Sequence, residues 1–277
     1  MLLRIFSRER FKVFASSKFH HYLLHASGEL LLVVVGILIA LQIDNWNNDR
    51  IAQDEIRELA LNLSEAIDRD MRMLKPVERQ IRVSMRQSEL LADYLRDRPL
   101  EELDNAELFF LTRYLGYRPY GWNRAAMEQL KAASGLRQMR NRELAERISD
   151  YDALVQHLDQ DYREDEASVR AMVNLVQSLV DQNYDKADLY DEIDLTDDLP
   201  DSVIEQRIRG FHETEAYHRL AAFRKPLLST DLAAFRQLAN MSRRYAVITR
   251  PRPNIELPRL RSYAAEIQQM IDDEYRK

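Results

Sequence analysis

Apolar positions follow two different patterns along this chain, and they predict two kinds of helix. From Leu30 to Leu41 every residue but Gly36 is a large aliphatic or alanine. Twelve residues are too few to cross a bilayer. The flanks extend the stretch: Tyr22 to Ile43 as a helix covers about 33 Å, against a hydrocarbon core of about 30 Å. Between Leu23 and Ile43 stand thirteen Leu, Ile and Val residues, opposed by one acid, Glu29. At roughly −0.3 to −0.6 kcal/mol each against roughly +3, insertion is favoured by a few kcal/mol. Tyr22 and Trp46 then mark the two interfaces as aromatic anchors. Leu38 and Ala40 do not form a small-x-small cleavage site and no cysteine offers a lipid attachment point, so the expectation is a retained transmembrane helix over 22–46.

Beyond it the apolar residues recur in steps of three and four. Ile56, Leu59, Leu63, Ile67, Met71 and Leu74 predict a stalk helix continuous with the span. Pro76 permits a kink or a new start, after which Ile81, Leu91 and Leu95 continue the stripe less densely. The strongest seam runs from Arg142 to Val180 through Leu144, Ile148, Tyr151, Val155, Leu158, Tyr162, Val169, Met172, Val176 and Leu179, broken where Asp165 takes an apolar slot. Such a seam needs a partner, and the expectation is antiparallel packing on the stalk, crossing at about 20°. Two short helices are expected over Asp104–Tyr114 and Asn123–Ser134, the second capped by a left-handed Gly135. Ser202 with Glu205 reads as a capping box opening a helix that runs toward Pro226. A helix near Thr230–Tyr245, a turn with Pro251 and Pro253, and a last helix from Pro258 to Tyr275 complete the chain. Only six Gly and eight Pro punctuate 277 residues. The fold class predicted is all-α: one amino-terminal transmembrane helix continuing into an elongated antiparallel helical bundle.

Charge orients this arrangement. Arg4, Arg8, Arg10, Lys12 and Lys18 precede the span with only Glu9 among them, giving the first 21 residues +4 and leaving −10 for the remainder of a chain whose net charge is −6. The positive-inside rule places the amino terminus in the cytoplasm and the body outside. Residues 1–21 form a basic amphipathic segment suited to the anionic inner leaflet or, alternatively, to a cytoplasmic partner. The acidic body, 47–277, argues against nucleic acid. No cysteine occurs, which excludes disulfides, thiolate metal sites and thiol chemistry and suits an exported compartment.

Candidate chemistry is sparse. Within the span His25, Gly28, Glu29, Leu32, Gly36, Ala40 and Ile43 share a stripe about 120° wide, and Gly36 and Ala40 make a small-x-x-x-small pair that lets membrane helices approach. Glu29 is open to three readings: an acid tolerated near the inner interface, protonated or bonded one turn back to His25; a contact with a partner helix; or a participant in ion movement. The segment Tyr114–Trp122, YLGYRPYGW, with Arg113, Tyr117, Arg118, Tyr120, Trp122 and Arg124, is a candidate ligand or partner loop that could stack on a sugar or clamp an anion, or else plug the end of a bundle. Asp181–Asp201 holds nine acids with Lys186 as the sole base, lacks a calcium-loop spacing, and reads as a solvated linker. Glu215 and His218 form one Glu-x-x-His with His212 nearby, but no second pair exists for a di-iron site. No phosphate loop, nucleophile elbow or His-Glu-x-x-His is present. No cofactor, metal or catalytic residue is therefore expected.

The block GELLLVVVGILIALQIDNWNNDR, Gly28 to Arg50, resembles the amino-terminal signature of a large family of functionally uncharacterised bacterial single-pass membrane proteins, with Glu29, Gln42 and Trp46 in register. Gln129–Tyr151 resembles that family more weakly, departing at Arg137–Met139 and at Asp152. The resemblance implies a location and no activity. The expectation is a bacterial inner-membrane protein presenting a periplasmic helical module for interaction, scaffolding or sensing. Its partners are the bilayer and another protein or a second copy, met through the span and the bundle. The alternative is an accessory subunit of a transport or ion-driven complex engaged through the transmembrane stripe, and a third reading is an exported hydrolase.

Overall fold

The computed structural model describes residues 17–184 and 200–276; the basic segment up to residue 16, the linker residues 185–199, and the side chains of residues 17–23, Tyr22 among them, 201 and 204 lie outside it. The described residues are helical throughout, joined by loops, and contain no strand. Two compact units are distinguished, Met1–Glu58 and Leu59–Lys277.

One helix, α1 (Ser17–Asp97), begins in the first unit and continues into the second, with Pro76 inside it. Its amino-terminal part is the one described helix long and apolar enough to cross a membrane. There the aliphatic side chains are open: Leu24 is 74% exposed, Leu32 75% and Ile43 61%. Arg50 lies over the Trp46 ring at 5.7 Å from its centroid. From Leu59 onward α1 changes character. Leu63, Ile67, Leu74, Ile81, Leu91 and Leu95 are all buried, as the periodicity predicts.

After a 3-10 turn (Leu100–Glu102) come α2 (Asn105–Thr112), α3 (Ala125–Ala132), the short α4 (Gly135–Gln138) and the long α5 (Arg142–Leu179). Asp104 and Asn141 act as amino caps, accepting from Glu107 and Leu144 backbone N–H groups. The expected left-handed cap at Gly135 is corrected: Ser134 takes that conformation, with φ of 55°, and Gly135 opens the next helical turn. Gly135 is required for space instead, since a Cβ there would stand 2.5 Å from Leu130 Cδ1.

The helix expected from Ser202 toward Pro226 is also corrected. It divides into α6 (Asp201–Arg209), a 3-10 turn (Gly210–Glu213) and α7 (Glu215–Ala222). Pro200, not Ser202, stands at the amino cap of α6, and Thr214 restarts the helix by accepting from Tyr217 N–H. The interruption lets Phe211 turn inward and stack on Phe110, ring centroids 3.9 Å apart.

The chain closes with α8 (Leu232–Thr249), a π-helical segment (Arg252–Glu256) and α9 (Leu257–Tyr275). The turn expected at Pro251 and Pro253 is thus a widened helical turn. Each proline removes an N–H from the ordinary ladder, and a π turn continues the helical course without those donors.

Contacts along α5 identify what its seam packs on. Arg147 pairs with Glu266 and lies over Tyr263, His157 approaches Glu256, Arg252 pairs with Asp161 and Asp165, and Ser242 donates to Met172. Rising numbers on α5 meet falling numbers on α9 and α8. Seam residues of α5 also meet α1: Tyr151 and Val155 line a small cavity with Leu63 and Ile67, and Met172 and Val176 belong to the same core as Val83 and Leu91. The seam therefore meets the carboxy-terminal run as well as the stalk, a pairing that local periodicity does not encode.

Candidate functional site

Polar groups are buried in two connected places within the second unit, and of these the apolar stripes mark only the break at Asp165. The first is a row on α1. Asp70, Gln80, Ser84 and Gln87 fall within about 100° of arc at 100° per residue, and they accept from the backbone N–H groups of Asn123 (2.9 Å), Arg118 (3.1 Å), Gly116 (2.6 Å) and Tyr114 (3.1 Å). Ser84 and Gln87 are fully buried. The loop 113–124 has no regular partner strand, so helix side chains supply the acceptors its buried backbone requires. Ser84 also donates to the Tyr245 hydroxyl at 3.2 Å, tying α8 to the same point. Burial pushes the Tyr245 phenol up to about 12.

This row settles where the loop residues go. Tyr120 is 2% exposed and stacks on Trp122 with centroids 5.0 Å apart. Tyr117 packs edge-on against Tyr162 at 5.4 Å. Trp122 Nε1 donates to Asp159 Oδ1 at 2.9 Å, and Arg124 pairs with the same carboxylate. Arg113 lies over the Tyr114 ring at 4.8 Å, while Arg118 is exposed. The two tyrosines face inward; the arginines Arg118 and Arg124 remain at the surface.

The second place is beneath the loop. Tyr117 donates to Asp165 Oδ2 at 2.8 Å. Asp165, fully buried, occupies the slot where the α5 seam breaks. Arg252, from the first position of the π segment, reaches Asp161 Oδ2 at 3.2 Å, Asp165 Oδ2 at 3.4 Å and Glu256 Oε1 at 3.2 Å. His157 completes the group from α5, 3.3 Å from Asp161 Oδ2. Burial raises the pKa of Asp165 and of Glu256 above the ordinary carboxyl range, with Tyr117 and Arg252 pulling Asp165 back only in part. Burial also acts to lower the Arg252 pKa, but Asp165, Glu256 and Asp161 together outweigh it and the guanidinium is held in its charged form.

A pH dependence follows. At Asp165 and Glu256 the folded chain holds protons more tightly than the unfolded chain. Their contribution to stability is therefore fully present below the ordinary carboxyl pKa of about 4 and is lost as pH rises through the higher folded values. Glu89, where burial is overridden by Arg86 and Arg250, has a lowered pKa and works in the opposite direction. Comparison of the parent with Asp165→Asn cancels such contributions. The asparagine keeps an acceptor for Tyr117, and the decline of unfolding free energy between pH 4 and neutrality is expected to be shallower in the variant, measured by chemical denaturation at a series of pH values. Equal slopes would contradict the assignment of Asp165.

The sequence-predicted groups elsewhere fare differently. His25, Gly28, Glu29, Leu32, Gly36, Ala40 and Ile43 share one helix and are all exposed, and a Cβ added at Gly28 or Gly36 meets nothing within 4 Å. Among the described residues Glu215 and His218 do not converge with a third ligand; Glu215 pairs with Arg219 and His212 with Glu107. The first residues of the expected acidic linker are packed: Asp181 exchanges hydrogen bonds with Asn105 and Tyr184 is buried against Phe109. Asp161, Arg252, Glu256 and His157 were not singled out by sequence; the one local signal of the cluster is the acid Asp165 in an apolar seam. The chain has no match among family models, curated proteins or solved structures.

Proposed function

We propose that the chain is a bacterial inner-membrane protein, anchored once near its amino terminus, whose periplasmic body is an antiparallel helical bundle serving as an interaction, scaffolding or sensing module. The observation that carries this is the exposed aliphatic surface of α1 from Leu24 to Ile43, which no other part of the chain covers among the described residues. Uncovered apolar surface of that extent requires lipid or another apolar partner. The basic residues before it, and its resemblance to a single-pass membrane family, support the orientation. The opposed order of contacts between α5 and the α8–α9 run supports the bundle. The body's interior is given to packing and to hydrogen bonds that tie down its longest described loop, which suits a rigid platform better than a reaction site.

A second reading rests on the span itself. Glu29 shares its face with Gly28 and Gly36, where an added Cβ meets nothing within 4 Å beyond the adjoining turns of its own helix among the described residues, and a membrane partner helix packed there would make the chain a subunit of a larger complex. The test of the first reading is a carboxy-terminal alkaline phosphatase fusion in bacterial cells. High phosphatase activity, retained in carbonate-washed membranes, is expected. An inactive fusion places the body in the cytoplasm, and activity in the soluble fraction removes the anchor; either result overturns the proposal.

A further inference from the structure

The passage from α8 into α9 brings three side chains of ligand chemistry to one point. His157 and Asp161 lie one turn apart on α5 and so share a face, and Glu256 closes the π turn opposite them. His157 Nε2 stands 3.3 Å from Asp161 Oδ2 and 4.0 Å from Glu256 Oε1, and the three ligand atoms all lie within 4.8 Å of one another. Ligands bound at about 2.0–2.2 Å around a tetrahedral ion are separated by about 3.3–3.6 Å, so closing the present separations by at most about 1.5 Å would complete a set.

An independent observation points to the same place. Asp161 is 7% exposed and its Oδ2, the oxygen turned toward His157, has no hydrogen-bond partner. What neutralises it is Arg252 Nη1, which it shares with Glu256 at 3.2 Å from each. One guanidinium stands against three carboxyl groups, Asp161, Asp165 and Glu256. When all three are ionised, two negative charges are left over, which is the charge of one divalent cation.

Arg252 also has somewhere to go. Its Nε and the Asp165 Oδ1 are a buried donor and a buried acceptor, each without a hydrogen-bond partner, and Nε already lies 3.4 Å from the other oxygen of that carboxylate. A guanidinium released from Asp161 and Glu256 can form the two-bond pair with Asp165 that arginine geometry favours.

We propose that His157, Asp161 and Glu256 bind a divalent transition-metal ion, with zinc the best chemical fit, and that the ion displaces Arg252 onto Asp165. One imidazole and two carboxylates at these separations suit zinc; calcium takes six to eight oxygens and magnesium a near-ideal octahedron of them. His157 is about half exposed, which gives the ion an entry path and leaves a fourth position for water. The site goes beyond the anchored-module reading and does not depend on it.

The experiment is titration of the full-length chain in detergent micelles with zinc chloride against a chromophoric chelator. One zinc per chain is expected. His157→Ala and Glu256→Gln are each expected to weaken binding by about tenfold or more, whereas His212→Ala, which removes a partly exposed histidine outside the cluster, leaves it unchanged. The exposure of His157 keeps its replacement from disturbing the core, and matched thermal unfolding curves for parent and His157→Ala check this. Failure to bind zinc stoichiometrically, unaltered affinity in His157→Ala or Glu256→Gln, or an equal loss in His212→Ala overturns the proposal.

Discussion

Replacing Arg252 by methionine is expected to lower the unfolding free energy by about 3–5 kcal/mol at neutral pH, the cost typical of removing one member of a buried ion cluster. Methionine nearly preserves the volume, so the loss comes from charge. The guanidinium is 9% exposed and is shared by Asp161, Asp165 and Glu256, and Asp165 is sealed from solvent. Without Arg252 these carboxyl groups face one another in a medium that screens poorly, and each further raises the pKa of its neighbours. The relief open to the protein is proton uptake, which becomes easier as pH falls. The deficit of Arg252→Met should accordingly shrink toward pH 4, where parent and variant both hold more of these protons. Chemical denaturation of the two proteins at pH 7 and near pH 4 measures both quantities. A deficit below about 1 kcal/mol, or one of equal size at the two pH values, would mean that the cluster is not electrostatically coupled as its geometry indicates.

Legibility in the sequence tracks how local each cause is. The 38-residue α5 is visible, within a residue at each end, because a seam of three and four residue steps is written into consecutive positions. The buried face of α1 was visible for the same reason. The apolar stripe thins after Pro76, and Ser84 and Gln87 stand there because loop backbone N–H groups need their acceptors. Polar residues chosen to satisfy a distant loop leave no periodic trace. Asp165 shows as an interruption of the seam, but its partner Arg252 lies in a segment that two prolines disguise as a turn. The inward packing of Tyr117 and Tyr120, half-buried and buried, follows from aromatic composition, whereas the convergence of His157, Asp161 and Glu256 depends on the register between α5 and a π turn, which sequence spacing does not specify. The seam of α5 is legible in the same way, whereas the carboxy-terminal helices that meet it are not.

Gly116→Ala carries the second large expected effect, a destabilisation of about 2–4 kcal/mol, and two glycines in one loop make its origin separable. Gly116 has φ of 90° and Gly121 has φ of 73°, so a side chain strains the backbone at both. The surroundings differ. A Cβ at Gly121 meets nothing within 4 Å, whereas one at Gly116 stands 3.0 Å from Val169 Cγ1 on α5. Gly116 cannot retreat cheaply, because its N–H is held by the buried Ser84 hydroxyl at 2.6 Å. Gly121→Ala should therefore report the backbone cost alone, about 1–2 kcal/mol, and the excess in Gly116→Ala should be the crowding against α5. Removing the crowding from the other side tests that division: in the double variant Gly116→Ala, Val169→Ala, the loss should fall short of the sum of the single losses by about 1 kcal/mol or more. Strict additivity, or a Gly121→Ala loss as large as that of Gly116→Ala, would mean that the loop is held by its own turns and not by being wedged between α1 and α5, and the rigid platform inferred for the body would lose its main support.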